Sequence, residues 1–290
     1  MTGNSARSMI EGRPHLLNFG CGSALHPDWI NLDSSAVAPD VVAHDLRHGL
    51  PFPPDTFDAA YGSHVLEHLE PDAASRLLRE CRRILRPGGI LRIVVPDLQR
   101  IAKLYLDSLE RAATGDIEAA FRYDWMMLEL YDQAVRTRSG GNMATYLRGE
   151  LGENQARFVR SRIGDEATGG KPSRVDGHSP ASRMIRKVRS AISAAREVIA
   201  RACAVAVLGP EGGAALREGL FRRGGEVHQW MYDRFSLKRA LEGAGFGEVR
   251  VCAADDSAIP DFARYGLERS HGQERKPDSL YMEGRKPVPP

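Results

Sequence analysis

Between residues 15 and 97 the chain repeats one arrangement, a short apolar run that ends on a glycine turn or a small polar residue. Residues 15–19 run into Gly20-Cys21-Gly22, residues 29–32 into Asp33 and residues 41–44 into Asp45. Residues 57–61 lead to Ser63 and His64, and residues 90–95 to Pro96-Asp97. Runs of that length bounded by turn residues read as buried strands. Between the last two lies an amphipathic helix: Pro71 suits its first turn, and Ala73, Ala74, Leu77, Leu78, Cys81, Ile84 and Leu85 fall at three- and four-residue spacing. Arg82, Arg83 and Arg86 complement its C-terminal dipole, and Pro87-Gly88-Gly89 ends it. The spacing therefore predicts an α/β fold, a Rossmann-like, mostly parallel sheet with helices on both faces. Such sheets bind ligands beyond the carboxyl ends of their strands, where Gly20, Gly22, Asp33, Asp45, Ser63, His64 and Asp97 all lie.

The rest of the chain divides by pattern. Residues 1–13 read as a flexible tail and 14–98 as the Rossmann-like core. Residues 99–225 read as a largely helical insert or lid, with helices over 101–110, 117–135 and 181–208 and a mobile linker near 164–180, rich in Gly, Pro, Ser and charge. Residues 226–290 complete the sheet: Ser236 is read as capping a helix through Leu241, followed by strands at 248–253 and 279–283.

Bulk properties exclude more than they assign. The net charge of +2 gives no case for nucleic acid as a partner. Cys21, Cys81, Cys203 and Cys252 form no CxxC pair, so a reducing compartment and a fold without metal are expected. The polar N-terminus lacks a signal peptide's apolar segment, and the longest apolar stretch, 202–208, is short for a membrane span. Together these imply a cytoplasmic protein. The basic helix 181–201 has three readings: a solvated cover over the core, peripheral contact with the inner face of a membrane, or a seat for a phosphate-rich substrate. It lacks the interleaved aromatics that stack bases.

The chemistry concentrates at the strand ends. Gly20 and Gly22 permit a sharp turn and close ligand approach, although Leu25 breaks the full GxGxxG pattern. A carboxylate at Asp33 can accept hydrogen bonds from both hydroxyls of a ribose, which favours an adenosine-type ligand over a plain turn aspartate. Asp45 either holds an adenine edge or caps its strand end. Asp97 is either a base or a helix cap. His228 is a candidate base with Tyr232 orienting it, and the alternative has Trp230 and Tyr232 packing the insert onto the core. Glu67-His68 reads as a structural hydrogen-bonding pair, because no further metal ligand stands at a fitting spacing.

The segments 17–22, 31–33, 45–46, 50–58, 63–69 and 85–89, taken in that order, resemble the class I S-adenosylmethionine-dependent methyltransferases, most closely the group called methyltransferase type 11. The resemblance spans about residues 14–98 and resumes at 228–254. It implies a seven-stranded sheet whose last strand, here 279–283, is antiparallel and inserts beside the fifth. It implies S-adenosylmethionine as cofactor, with Asn18, Gly20, Cys21 and Gly22 near its methionine portion. Asp33 would then hold the ribose, Asp45 and Leu46 the adenine, and Ser63 and His64 would lie near the sulfonium and the acceptor. Three departures stand out: Asn18 replaces the usual acid, Ala24 replaces a frequent glycine, and the ten residues between Gly22 and Asp33 leave little room for the usual first helix. The closing segments 257–262 and 276–283 resemble methyltransferases of cell-surface polysaccharide pathways, implying a sugar or glycan hydroxyl as acceptor. Two rivals remain, a non-catalytic cofactor-binding or interaction module and a nicotinamide-dependent oxidoreductase. The oligomeric state has no signature here.

Overall fold

The computed structural model describes residues 14–35, 38–164, 180–270 and 272–290, with side chains from 195 onward in the segment that begins at Pro180. The expected tail at 1–13, nearly all of the expected linker near 164–180, and the side chains of most of the basic helix 181–201 fall outside the described residues.

Strands β1 (Leu16–Phe19), β2 (Trp29–Asp33), β3 (Val41–Ala43) and β4 (Phe57–Ser63) follow one another with no α-helix among the described residues between them. Residues 23–28 form turns where a first helix would stand, as the short Gly22-to-Asp33 spacing implied. Helix α1 (Pro71–Ile84) leads into β5 (Leu85–Pro96). The Pro87-Gly88-Gly89 turn sits inside that strand, after the helix has ended, and the register against β4 jumps from Phe57↔Leu85 to Ala59↔Ile90. Gly89 is needed there, since a Cβ would lie 2.9 Å from the Arg86 carbonyl oxygen.

A helical stretch follows: α2 (Leu98–Ala113), α3 (Ile117–Met127), a π turn at Leu128–Asp132, α4 (Gln133–Val135), α5 (Gly141–Leu147) and α6 (Glu153–Ile163). These share their own apolar cluster, centred on Ile101, Trp125, Met126, Val159 and Ile163. Inside it the π turn aims Glu129 at Arg162, 2.6 Å away, and both are buried. Helix α7 (Pro180–Arg222) consists of two stretches broken at Gly209, where φ is 73° and Pro210 follows. Its segment Ala195–Arg222 is long and apolar enough, by length and composition, to cross a membrane, and only 6% of its most apolar window is buried. Val198, Ile199, Val207 and Leu208 all face outward. The longest uninterrupted apolar stretch is 202–208, but the helix joins it to Val198 and Ile199 before it and Ala214 and Ala215 after it.

The chain returns through α8 (Arg234–Gly243), β6 (Gly247–Cys252), a small hairpin of β7 (Arg269–Ser270) and β8 (Gln273–Glu274), and β9 (Ser279–Arg285). Helix α8 is capped by Asp233 rather than Ser236. The Asp233 carboxylate accepts from the Phe235 and Ser236 amides, and the Ser236 hydroxyl accepts from the Asp233 amide at 3.0 Å.

The seven-stranded sheet has the order β3-β2-β1-β4-β5-β9-β6, and β9 alone runs antiparallel to its neighbours. One face packs Leu77, Leu78 and Cys81 of α1 and Leu237 and Leu241 of α8 against Leu17, Phe19, Leu91 and Ile93. The other face buries Trp29, Tyr61 and Tyr281 under Ile259, Phe262, Tyr265 and Leu267. Each such side chain contributes about 1.5–3 kcal/mol when taken out of water. Because β1 is flanked by β2 on one side and β4 on the other, the connections out of it diverge and leave a crevice at the carboxyl ends of β1 and β4.

Candidate cofactor site

The crevice holds a cavity of about 370 Å³, within the range of small-molecule sites. One wall is the turn after β1. Gly20 has φ of 62° and Gly22 of 50°, the left-handed region that glycine enters at least cost. A Cβ on Gly20 would also sit 2.1 Å from Val65 Cγ2, so the turn and the β4 loop can pack this closely only with glycine there. The turn is held from behind: the Cys21 amide donates to the Leu32 carbonyl at 3.2 Å, and the Gly22 amide to Asp33 Oδ2 at 2.9 Å.

Asn18 is buried beneath this turn, and its orientation follows from its neighbours. Asn31 Nδ2 donates to the carbonyls of His26 and Trp29, so Asn31 Oδ1 faces Asn18. Asn18 Nδ2 therefore donates to Asn31 Oδ1 at 2.9 Å and to the Ala24 carbonyl at 2.8 Å. Both amide hydrogens are spent, which leaves the Asn18 carbonyl oxygen as the group offered to a ligand's amine. The side chain that replaces the usual acid thus retains an acceptor without its charge. The Cys21 thiol is pushed up to about 12, mainly by burial, and is inert at neutral pH.

The opposite wall is the end of β4. Ser63 and His64 line the cavity, and His64 adopts φ of 53°, uncommon for a non-glycine residue. Its amide donates to the Val94 carbonyl at 2.8 Å, and its ring Nε2 lies 2.8 Å from Ser279 Oγ. The cavity is completed by Leu267, Glu268, Arg275 and Lys276, none of which stands at the end of a parallel strand. A signal for the last two existed: a final strand antiparallel to β5 must begin where β5 ends, and Ser279 does pair with Pro96. Glu268 is buried, which pushes its carboxyl up, and Arg92, buried on β5, opposes that shift.

Asn18, Gly20, Cys21, Gly22, Ser63 and His64 thus share one cavity. Asp33 stands behind the turn, its Oδ1 accepting from the Ser34 hydroxyl and the Ser35 amide. Asp45 and Leu46 lie outside the lining. The Asp45 carboxylate caps the 3-10 turn Leu46–His48 and takes a two-pronged contact from Arg47, which holds it at about 2. Leu46 packs against the core. Asp97 caps α2 through the Arg100 amide and is likewise outside the lining. Tyr232 is buried in the core with its phenol pushed up to about 12 by that burial, so of the two aromatics it packs the sheet while Trp230 stays half exposed.

His228 arrives from far along the chain. The Gln229 and Trp230 amides donate to the Glu67 carbonyl at 2.7 and 3.2 Å, and the His228 amide to the Gln133 carbonyl at 2.9 Å. This clip sets His228 edge-on to His68, with ring centroids 4.7 Å apart. Burial holds His68 below the usual imidazole value and His228 down at about 3, so both rings are neutral at physiological pH and His228 is a weak proton acceptor. Burial opposes ionisation of Glu67, but the His64 ring 3.2 Å away outweighs it and holds the carboxyl at about 2.

A crevice between the first and fourth strands, with a reversed last strand beside the fifth, is the arrangement of the class I S-adenosylmethionine-dependent methyltransferases, which this chain resembles. Residues 21–93 match the family described as a methyltransferase domain. A probable methyltransferase of Aspergillus luteorubrus is 31% identical over 108 residues, covering 34% of this chain and 38% of that protein. A probable S-adenosylmethionine-dependent methyltransferase of Mycolicibacterium smegmatis is 32% identical over 99 residues, covering 28% and 38%. The matched region thus spans well under half the length of these relatives. Among solved structures, a possible histamine N-methyltransferase of Thermotoga maritima aligns over 98% of this chain and 86% of its own, at 12% identity and a TM-score of 0.38. An S-adenosylmethionine-dependent methyltransferase of Archaeoglobus fulgidus aligns over 95% and 87%, at 13% identity and a TM-score of 0.36. Both are too distant to speak to activity.

Proposed function

We propose that this protein transfers a methyl group from S-adenosylmethionine to a hydroxyl of a small or sugar-like acceptor. The observation that carries the reading is the cavity at the strand divergence, where a glycine turn, an amide acceptor and a polar β4 end face one another across space for a nucleoside-sized ligand. Bound S-adenosylmethionine supplies a methyl group already activated on a sulfonium, so the protein's task is to orient the acceptor and exclude water. Asn18 Oδ1 would take the cofactor's amine. Arg275 and Lys276 would face its carboxylate, and Asp33 would meet the ribose from beside the turn. Ser63 and His64 would border the methyl group and the acceptor.

Support for a hydroxyl acceptor comes from the His64 ring on the cavity wall, since a hydroxyl needs a group placed to take its proton. Neither Asp97 nor Tyr232 borders the cavity, which leaves His64 and the groups it touches as the nearest side chains for proton management. The test is calorimetry with S-adenosylmethionine and S-adenosylhomocysteine, followed by a methyl-transfer screen over sugars and glycan precursors. Micromolar cofactor binding with transfer to a hydroxyl compound supports the reading. Binding with no transfer to any acceptor would favour a non-catalytic cofactor-binding module, and NADH binding would revive the oxidoreductase.

A further inference from the structure

The wall behind His64 contains an arrangement that cofactor binding does not use. Glu67, His68 and His228 each present a ligand atom, all within 4.8 Å of one another. Glu67 has no solvent exposure, yet neither carboxylate oxygen has a hydrogen-bonded partner among the described residues. Oε1 lies 3.2 Å from His64 Nδ1 without completing a hydrogen bond. His228 Nδ1 is likewise buried and unpartnered. His68 differs: its Nδ1 lies 3.3 Å from the Val227 carbonyl, which fixes Nδ1 as the protonated nitrogen and leaves the Nε2 lone pair open. A backbone carbonyl on one imidazole nitrogen and a free lone pair on the other is how metal-bound histidines are oriented. An ionised carboxylate and two imidazoles, buried together with lone pairs unspent, form a costly set unless a cation joins them.

We propose that Glu67, His68 and His228 bind one divalent cation of the zinc type. Two imidazole nitrogens and one carboxylate are the donor set of three-ligand zinc sites, which keep a fourth position open. Bonds of about 2.0–2.1 Å place tetrahedral donors about 3.3 Å apart, so no pair here need close by more than about 1.5 Å, within the reach of side-chain rotation. The backbone is already gathered: Glu67 and His68 share the 3-10 turn Leu66–His68, and the amides after His228 are bonded to the Glu67 carbonyl. His64 touches Glu67 on one side and lines the cofactor cavity on the other, which puts the site directly behind the β4 end of that cavity. The open position would take an acceptor hydroxyl. Its proton is lost to solvent more readily on the cation, its oxygen forms the new bond to the methyl carbon, and the carbon–sulfur bond breaks to leave a neutral thioether. That step rests on the hydroxyl-transfer reading above; the cation site does not.

The test uses the full chain, stripped with chelator and dialysed. Zinc uptake is measured by calorimetry and elemental analysis, cobalt(II) uptake by its visible ligand-field spectrum, and S-adenosylhomocysteine binding on the same sample. The expected result is one equivalent of zinc, a cobalt spectrum of low coordination number, and a zinc Kd raised at least about a hundredfold in Glu67→Gln and His228→Gln, beyond the loss typical of a supporting residue. The variant His228→Asp, which keeps a donor, should regain part of that affinity. Cofactor binding reports that each variant is folded. Wild-type protein that binds S-adenosylhomocysteine but neither zinc nor cobalt would overturn the proposal, and so would folded variants that bind zinc as wild type does. Zinc uptake that follows the three ligands in protein that does not bind the cofactor would uphold the cation site and remove the methyl-transfer reading instead.

Discussion

Replacing Arg92 by methionine should cost about 3–5 kcal/mol, the penalty for removing one partner of a buried ion pair. Arg92 sits on the central strand β5 with no solvent exposure. Its guanidinium donates to Glu283 at 2.9 Å and to the carbonyls of Ala253, Ala254 and Asp256 at 2.8–3.0 Å. It also lies 3.6 Å from Glu268 and packs against the rings of Phe262 and Tyr281. The two acids are not equally exposed to its loss. Glu283 keeps the Ser257 hydroxyl, the Ala258 amide and Arg250. Glu268 Oε1 is buried without a hydrogen-bonded partner, so Arg92 is its main charge compensation. The cost should therefore concentrate on Glu268, and Glu268→Gln in the Arg92→Met background should recover about 1–2 kcal/mol, the desolvation penalty of the unpaired group. Glu268 borders the cofactor cavity, so affinity for S-adenosylhomocysteine should fall along with stability. Urea unfolding of the wild type, both single variants and the double variant closes the cycle. A loss below about 1 kcal/mol in Arg92→Met, the level of an exposed pair, would refute the reasoning, as would strict additivity of the two changes.

Further predictions bear on the cavity and the imidazole cluster. Gly20→Ala should cost at least about 2 kcal/mol from its left-handed φ and its overlap with Val65, and should abolish measurable cofactor binding; calorimetry at wild-type affinity would count against the turn's assignment. Asp33→Ala should weaken S-adenosylmethionine more than about tenfold, with Asp33→Asn weaker in effect because an oxygen remains for the Gly22 amide; equal binding in a folded Ala variant would remove the ribose role. Asp45→Ala should change cofactor affinity less than about twofold, because its carboxylate is already engaged by Arg47; a tenfold loss would restore it to the site. Metal-free protein should lose stability as pH falls below 6.5. His228 is held neutral down to about 3 when folded, whereas its unfolded form takes a proton from about 6.5 downward. The slope is about 1.4 kcal/mol per pH unit for each such ring. His228→Gln should flatten it, and a level profile from pH 7.5 to 5 in the wild type would show that the ring is not buried as described.

The parallel core was legible because its signals are local. Each strand is a short apolar run, and the residues that end it lie at the ligand end, so Gly20, Gly22, Ser63 and His64 could be placed together from order alone, whereas Asn18 came from the resemblance. The reversed last strand came from the resemblance, and its register then follows from Pro96↔Ser279. Asp45 shows the limit of that logic. Its position in the chain fits an adenine contact, but a neighbour two residues on, Arg47, claims the carboxylate, and such competition is invisible to a motif. The cap of α8 lies three residues before Ser236 because the Asp233 carboxylate takes the Phe235 and Ser236 amides while Ser236 serves as the returning partner of a capping box. The Glu67–His68–His228 cluster escaped notice for a different reason. Metal-ligand spacing rules see neighbours in sequence, whereas His228 reaches the cluster through hydrogen bonds to the Glu67 backbone that no pattern encodes. The exposed apolar face of α7 is the reverse case, since helical spacing alone does not tell a face turned to the core from one turned outward.

The placement of β9 has a bearing on the order in which the molecule can assemble. Strands β1 to β5 are close in sequence and can associate early, but the open edge of β5 then waits for a partner that comes much later in the chain. The bond between Arg92 and Glu283 alone spans 191 positions. Closing so long a loop is slow relative to local pairing. In the interval, an unpaired central strand with a buried arginine presents free amides and carbonyls to any passing chain. Refolding yield should thus depend steeply on protein concentration, and a chaperone that shields the β5 edge would aid this protein more than one that shields its helices.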